Sequence, residues 1–159
     1  MKKPTLLFKQ ILLLILFSCS SASAQSDDAE VDAVLDGYHQ AAAVADWQTY
    51  FDLLSEDAVF LGTDVSERWP KAVFREYAIN SNGWVYVPRE RHINFTPDAN
   101  SAWFDEVLDS ASYGTSHGTG VLIKTNEGWK ITQYNLTFPI PNALSKKFTD
   151  EIKDWEASQ

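Results

Sequence analysis

The sequence has one cysteine, three histidines and no cluster of basic residues, and each shortage excludes a class of protein. Because Cys19 is the only cysteine, the chain has no intramolecular disulfide and no site built from several thiolates. The histidines, His39, His92 and His117, lack the spacing of metal ligands, and no phosphate-binding loop or dinucleotide fingerprint occurs. The sequence therefore predicts neither a metal site nor a cofactor.

Charge excludes a second class. The chain has 22 Asp and Glu against 13 Lys and Arg, and its formal net charge is −9 at pH 7. Nucleic-acid binding requires clustered Lys and Arg that neutralise phosphates, and an anionic lipid surface repels an acidic chain. We therefore predict no nucleic-acid partner and interpret the acidic residues as a solvated surface that aids solubility.

Long apolar runs are also missing, apart from Ile11 to Phe17 near the start. This run follows three lysines, is too short to anchor in a bilayer, and precedes a small-residue cleavage site at Ala22 to Ala24. We predict a signal peptide over residues 1–24 and export to the periplasm or beyond. An alternative interpretation is a lipoprotein anchored through Cys19, since Leu16 to Cys19 resembles a bacterial lipobox. No later segment is apolar enough to span a membrane.

The remaining sequence predicts helices first and strands afterwards. A polar lead-in, 25–30, precedes an apolar stripe at helical spacing from Val31 to Ala45. Asp46 can cap a second short helix, and a third helix is predicted at about 70–79. From Trp84 onwards the apolar period becomes two, which is typical of strands.

This order predicts an α+β domain over residues 31–142, with three helices packed on one face of a curved antiparallel sheet. The first strand is predicted at Ala58 to Leu61. Residues 143–159 carry apolar positions at helical spacing, which predicts an amphipathic C-terminal helix docked on the sheet or on a partner subunit. A homodimer is the corresponding structural hypothesis.

The closing hairpin carries the strongest functional signal. A loop at 126–128 is predicted to place Ile123 opposite Ile131 and Thr119 opposite Asn135. Alternation along the strands then gives one face that is apolar near the turn and polar away from it. The residues predicted on that face are His117, Thr119, Val121, Ile123, Trp129, Ile131, Gln133 and Asn135. Such a gradient suits a surface that is core at one end and a ligand cavity at the other.

Several motifs resemble those of a known family. These are Asp46-Trp47, Ala58 to Asp64, Glu67 to Trp69, Ala102 to Glu106, and Trp129 to Thr137 followed by Pro139 to Asn142. In this order they resemble the SnoaL-like branch of the nuclear transport factor 2-like superfamily, also called ketosteroid isomerase-like. The resemblance implies a cone-shaped α+β fold with an internal pocket. It does not settle function, since the superfamily holds isomerases, dehydratases, polyketide cyclases and non-catalytic binding modules.

Glu106 is the first candidate for chemistry. Its predicted strand puts it on the same face as Ala102, Phe104 and Leu108, so it should point inward. A carboxylate in apolar surroundings can serve as a general acid or base. The structural alternative is a carboxylate held by a buried donor such as an Arg or a Trp indole.

His117 is the second candidate, because an imidazole titrates near neutral pH and this one lies at the polar end of the hairpin face. Its alternative is an edge position in solvent. His39 is predicted to be exposed and His92 to be at the surface or paired. The further residues predicted to line the pocket are Trp47, Asp64, Trp69, Phe104, Thr119, Gln133 and Asn135. For Asp64 the alternative is a turn-capping role, and for the tryptophans it is the core.

Two functions follow from these candidates. The favoured one is an exported protein whose pocket binds a small, partly apolar molecule. The other is an isomerase, lyase or cyclase that uses Glu106, with or without His117, for proton transfer. The isomerase constellation of the superfamily is not carried over, because Gly62 or Thr63 stands where its base is expected.

Overall fold

The computed structural model describes residues 27–159, so the predicted signal peptide and Cys19 lie outside the described residues. The elements are, in chain order, α1 at 27–43, α2 at Trp47–Asp52, β1 at Leu54–Leu61, β2 at Arg68–Pro70, α3 at Lys71–Ala78, β3 at Val87–Phe95, β4 at Ser101–Ser110, β5 at Gly114–Thr125, β6 at Gly128–Thr137 and α4 at Asn142–Ala157. From residue 27 onwards, no helix is both long and apolar enough to cross a membrane.

The six strands form one curved, unclosed sheet in the order β2-β1-β6-β5-β4-β3. Helices α1, α2 and α3 bury their apolar stripes against its inner face, where Leu35, Phe51 and Phe74 share a core with Leu122 and Ile131. The predicted α+β fold is therefore confirmed. One detail differs: β1 pairs with β6 in parallel, so the sheet is mixed, whereas the other pairings are antiparallel.

Some element boundaries depart from the sequence prediction. Residues 27–30, expected as a polar lead-in, are already helical, and Asp27 is buried in an ion pair with Lys124 of β5. Strand β1 starts at Leu54, although Leu54 fits the helical stripe before it. Pairing with β6 overrides that local pattern, since the Ile131 N–H donates to the Leu53 carbonyl.

The closing hairpin has the predicted pairing only away from its turn. Thr119 lies opposite Asn135 as expected, but Leu122, not Ile123, lies opposite Ile131. The loop holds two residues instead of three, and a bulge at Thr132 absorbs the difference. Since a one-residue change of register moves a side chain to the other face of a sheet, the predicted single face is split between the two sides.

The inner face of the hairpin is made of small residues on β5 and large ones on β6. The buried members are Ser116, Gly118, Gly120, Leu122, Trp129, Ile131 and Tyr134. The polar residues His117, Thr119, Gln133 and Asn135 lie on the outer face, away from the helices, so their predicted place in an internal cavity is wrong. The turn shift and the bulge are the physical reasons.

Helix α4 forms where the C-terminal amphipathic helix was predicted. None of its residues is buried, so the expected docking on the sheet is not observed within the described chain. Its docking on a partner subunit, and with it the homodimer, stays a prediction.

We expect Gly120→Ala to destabilise the protein, because a Cβ at this position would lie 2.2 Å from the Gln133 carbonyl oxygen and 2.7 Å from the Phe104 ring. Neither the strand backbone nor a buried ring can yield easily, and overpacking of this kind costs about 1–3 kcal/mol. Urea unfolding monitored by circular dichroism measures the change. The control is Thr119→Ala on the outer face of the same strand. Equal losses in the two variants would contradict the assignment of faces.

Candidate functional site

A fully buried carboxylate stands at the centre of the candidate site. Glu106 lies on the inner face of β4 between Phe104 and Leu108, and it is 0% exposed. An isolated carboxylate in such a place would be strongly disfavoured in its ionised form. The site is therefore defined by the groups that compensate this charge.

Three elements each send one hydrogen-bond donor to Glu106. His39 on α1 places Nε2 2.7 Å from Oε1, and the Tyr134 hydroxyl of β6 donates to the same oxygen at 2.8 Å. Arg91 on β3 donates from Nε to Oε2 at 2.9 Å. Charge-assisted bonds at these distances are stronger than neutral ones, so one helix and two strands are fastened to a fourth element, β4.

These donors keep Glu106 ionised. Burial raises its pKa, but the hydrogen bond and charge of His39, the charge of Arg91 and the hydrogen bond of Tyr134 together outweigh burial and hold the pKa below its usual value. The same carboxylate, with burial, raises the pKa of Tyr134 well above the usual range. Tyr134 therefore stays a neutral donor at any physiological pH.

The ionised carboxylate also fixes the state of the His39 ring. A carboxylate without its proton can only accept hydrogen bonds, so Nε2 of His39 must carry the hydrogen that joins them. When the imidazole is neutral, its other nitrogen, Nδ1, then has a free lone pair. Within residues 27–159, Nδ1 has no hydrogen-bond partner, and it is not among the buried atoms that lack one, so it reaches accessible space. In its neutral form, His39 therefore presents one free, oriented lone pair on Nδ1.

Arg91 braces this arrangement from the side of α1. Its Nη1 contacts the carboxylates of Asp32 and Asp36, one turn apart on the helix, while its Nε holds Glu106. Desolvation lowers the pKa of Arg91, but the surrounding carboxylates more than compensate and leave it raised. The guanidinium is therefore permanently charged, and it aligns the helix that carries His39 with the strand that carries Glu106.

A missing side chain on β5 makes room for the cluster. A Cβ at position 118 would lie 2.4 Å from the Tyr134 hydroxyl oxygen and 2.9 Å from Oε1 of Glu106. Gly118 therefore allows the Tyr134 hydroxyl and the carboxylate to meet across the strand that separates them.

Next to the cluster is a cavity of about 220 Å³ between the helices and the sheet. His39 and Tyr134 form part of its wall, whereas Glu106 lies behind them and does not line it. The lining is mostly aromatic: Tyr38, Tyr50, Phe60, Trp69, Phe74, Tyr77, Trp84, Tyr86, Tyr113, Tyr134 and Phe138, with His39, Gly62, Thr63, Glu67 and Leu136. We call this cavity the aromatic chamber.

Two buried tyrosines supply polar groups in the chamber wall. The Tyr50 hydroxyl donates to that of Tyr38, and the two rings stack with centroids 4.2 Å apart. Burial raises the pKa of both far above the usual range, so neither hydroxyl ionises. Because Tyr38 accepts from Tyr50, its own hydroxyl hydrogen is available for another acceptor.

The predicted site residues fall into four groups: at the chamber, in the core, in an exposed turn and on the outer face of the sheet. Trp69 lines the chamber, and Glu106 lies just behind it. Trp47 and Phe104 belong to the surrounding core, where Trp47 packs on Trp84 and Phe104 on Tyr134, so neither lines the chamber. Asp64 is exposed and accepts from the backbone N–H and hydroxyl of Ser66, which is the turn-capping alternative.

The predicted site residues on the outer face of the hairpin lie away from the chamber. Neither the candidate His117 nor Thr119, Gln133 and Asn135 lines the chamber, for the reason of register given above. His92 is at the surface and paired with Glu90, as expected.

The sequence interpretation missed the most informative residue, His39, which is 8% exposed although it was predicted to be exposed. One signal was present: His39 follows Leu35 by four positions and borders the stripe of Tyr38 and Ala42, so it faces the same side of α1. The alternating small residues Ser116, Gly118 and Gly120 were a second signal, since they mark a face where large partners approach.

No group of three or more His, Cys, Asp or Glu side chains converges on a metal-sized space in the part of the chain that the structure describes. The donors around Glu106 include a guanidinium, which repels a metal ion.

The fold agrees with the comparisons with known proteins. A family model described as a SnoaL-like domain matches residues 31–141, and the chain belongs to this family. A search of curated protein sequences finds none that matches. Helix α4 begins immediately beyond the family match.

Solved structures show the same fold at low identity. A protein from Novosphingobium aromaticivorans provisionally named as an aromatic ring hydroxylase is 19% identical, with 73% of this chain and 91% of that chain covered and a TM-score of 0.62. One from the same species provisionally named as a scytalone dehydratase is 10% identical, with 76% and 89% covered and a TM-score of 0.64. A nuclear transport factor 2-like protein of unknown function from Pseudomonas putida is 12% identical, with 74% and 90% covered and a TM-score of 0.62. At these identities the likeness shows the fold alone.

The ionised carboxylate leads to a stability prediction. In Glu106→Gln, Arg91 keeps Asp32 and Asp36 but loses its charged partner on β4, and loss of a buried hydrogen bond to a charged group costs about 1.5–3 kcal/mol. Because the folded-state pKa of Glu106 lies below its ordinary value of 4.5, the carboxylate stabilises the fold above that pH, and this stabilisation is lost as the pH falls through the folded-state pKa. Denaturant unfolding at pH 7 and at points below pH 4.5 should therefore show a difference between wild type and variant that shrinks in acid.

The matched control is Glu90→Gln. It removes an exposed carboxylate on β3, the strand next to β4, where Glu90 pairs with His92 of the same strand. An exposed pair contributes little, so this variant should unfold like wild type. A Glu106→Gln deficit that stays constant from pH 7 down to acid would contradict an ionised Glu106.

Proposed function

We propose that the aromatic chamber binds one small, planar, partly apolar molecule whose polar group reaches His39. The observation that carries this proposal is a mostly aromatic cavity wall that also holds the imidazole of His39, oriented by its bond to Glu106. Ligand sites are typically apolar with a few placed polar groups that fix orientation, and this wall has that composition.

The size of the chamber limits the ligand. An apolar cavity of about 150 Å³ in another protein holds benzene, and typical pockets for drug-sized molecules start at about 300 Å³. At about 220 Å³ the chamber suits a molecule of one or two rings. Stacked and edge-to-face walls, such as Phe60 on Phe74 with centroids 4.0 Å apart, favour a flat ligand over a bulky one.

The polar groups select which end of the ligand points inward. Nδ1 of neutral His39 accepts a hydrogen bond, and the Tyr38 hydroxyl can donate one. A hydroxyl or carbonyl on the ligand therefore finds a partner at this wall.

Residues 1–24 support the further proposal that the protein acts after export, either as a cleaved periplasmic or secreted protein or as a lipoprotein anchored at Cys19.

We expect 2-naphthol to bind in the chamber and to quench the fluorescence of Trp69 and Trp84, which line it. Naphthalene lacks the hydroxyl that would donate to His39 and should bind about fivefold more weakly, in line with one hydrogen bond. Decahydro-2-naphthol keeps the hydroxyl but is not flat, and it should also bind more weakly. Fluorescence titration measures all three.

In His39→Leu the preference for 2-naphthol over naphthalene should become smaller, because the acceptor is gone while the aromatic wall and the Tyr38 hydroxyl remain. His92→Leu, at the surface of β3, is the control and should keep the preference. The binding proposal fails if none of the three compounds binds saturably, or if His39→Leu discriminates as wild type does.

A second candidate function is acid–base catalysis on such a molecule, and the pairing of His39 with ionised Glu106 favours it. In this proposal Nδ1 of His39 removes a proton from a carbon next to a carbonyl, while the Tyr38 hydroxyl donates to the carbonyl oxygen as negative charge develops there. In an isomerisation the proton returns to another carbon; in a dehydration it is transferred to the departing hydroxyl group, which leaves as water.

Catalysis in this form changes the role expected for Glu106. Its carboxylate does not line the chamber, so it cannot reach a ligand there. Glu106 is then a positioning residue that holds the tautomer and orientation of His39, while His39 touches the ligand. The outer-face His117 has no part in this proposal.

We expect the protein to accelerate exchange of the C1 protons of 2-tetralone in D2O, followed by NMR, since this ketone has nearly the shape of 2-naphthol. His39→Gln keeps a donor for Glu106 but lacks the base, so exchange should slow by about 100-fold or more, the usual contribution of a general base. His92→Gln is the control. Acceleration that survives in His39→Gln, or no acceleration by wild type, would leave binding as the only function of the chamber.

A further inference from the structure

Helix α4 carries an apolar stripe, and the part of the chain from residue 27 onwards buries none of its residues. Leu144, Phe148, Ile152 and Trp155 recur at intervals of four, four and three, which places them on one side of the helix, and their exposures are 43%, 37%, 47% and 63%. The other sides carry charges paired within the helix, as in Lys146 with Asp150 and Lys147 with Glu151. The stripe is therefore an apolar surface of this helix that is left exposed.

The entrance of the aromatic chamber is also apolar and uncovered. Tyr77, Tyr113 and Phe138 line the chamber, and they are 58%, 63% and 37% exposed. Tyr113 stacks on Phe138 with centroids 4.6 Å apart, which joins the loop after β4 to the segment after β6. Grouped exposed rings of this kind mark a surface that something covers.

Chain connectivity puts the two surfaces within reach of each other. Phe138 is at the entrance, and α4 begins four residues later at Asn142, a distance of at most about 14 Å in an extended chain. The stripe from Leu144 to Trp155 is about 17 Å long at 1.5 Å per residue. The connection includes Pro139 and Pro141, whose fixed φ angles limit the directions that the helix can take.

We propose that α4 is a cover for the aromatic chamber of its own chain, with its stripe closing over Tyr77, Tyr113 and Phe138. The structure holds the open position, in which no residue of α4 lines the chamber. The tether favours the chain's own helix over that of a second copy, because a short linker gives an effective concentration of about millimolar, far above micromolar protein. A closed cover would exclude water from the His39 wall and slow the release of a bound molecule.

Hydrogen–deuterium exchange followed by mass spectrometry tests the cover without any ligand, so its failure is separable from failure of the binding proposal. An undocked helix of this length is marginal in water and exchanges fast, whereas a docked one is protected. We expect the amides of α4 to exchange about tenfold more slowly in wild type than in Phe148→Ser/Ile152→Ser. In that variant, exchange at residues 77–86 and 110–114 around the entrance should become faster.

The matched control is Lys146→Ser/Lys153→Ser, which introduces the same two serines on the opposite side of α4 and should exchange at these sites as wild type does. No buried residue is changed in either variant, so the domain itself stays intact. Three results would overturn the proposal. The first is that the amides of α4 exchange equally fast in wild type and in Phe148→Ser/Ile152→Ser. The second is that the protection of α4 in wild type increases with protein concentration. The third is that the variant loses this protection while exchange around the entrance does not change.

Discussion

The ionised carboxylate of Glu106, buried without any exposure, is the constraint on which the rest of this structure depends. A charge in that position is tolerated only if donors surround it, and the donors come from α1, β3 and β6. These contacts fix the helix layer to the sheet at this point. They also require a glycine at position 118 of β5, because a side chain there would collide with Tyr134 and Glu106. The aromatic chamber lies directly beside this point.

The same constraint turns a histidine into a usable group. Since Glu106 can only accept, His39 is held in one tautomer with one nitrogen committed and the other free. Arg91 maintains the geometry through Asp32 and Asp36 without touching the chamber. In the proposed function, His39 supplies the chemistry of the site, Glu106 supports it from behind, and the surrounding rings limit the size and shape of the ligand.

Much of the fold could be predicted from the sequence, because periodicity and capping are local. The switch from helical to alternating spacing located the helices and the sheet, Asp46 caps α2 as expected, and Glu106 points inward with Phe104 and Leu108. These features depend on residues close together in the chain. The parallel pairing of β1 with β6 does not, and a mixed sheet was accordingly missed.

The site was harder to predict, because its parts meet only in three dimensions. His39 and Glu106 are 67 positions apart, and no local pattern joins them. The hairpin was mispredicted for a different reason. A two-residue turn and a bulge at Thr132 changed the faces, so the polar residues assigned to the cavity lie outside, whereas Gly118 faces the cluster. Family resemblance gave the fold, whereas the activity depends on particular side chains.

The tautomer of His39 is the most direct test of this account. Nitrogen-15 NMR of the imidazole, assigned by comparison with His39→Gln, distinguishes the protonated ring nitrogen from the free one. With the ring neutral, we expect hydrogen on Nε2 and a bare Nδ1 whose signal responds when 2-naphthol is added. Hydrogen on Nδ1, with Nε2 bare toward Glu106, would mean that the carboxyl group is protonated and that the oriented base does not exist.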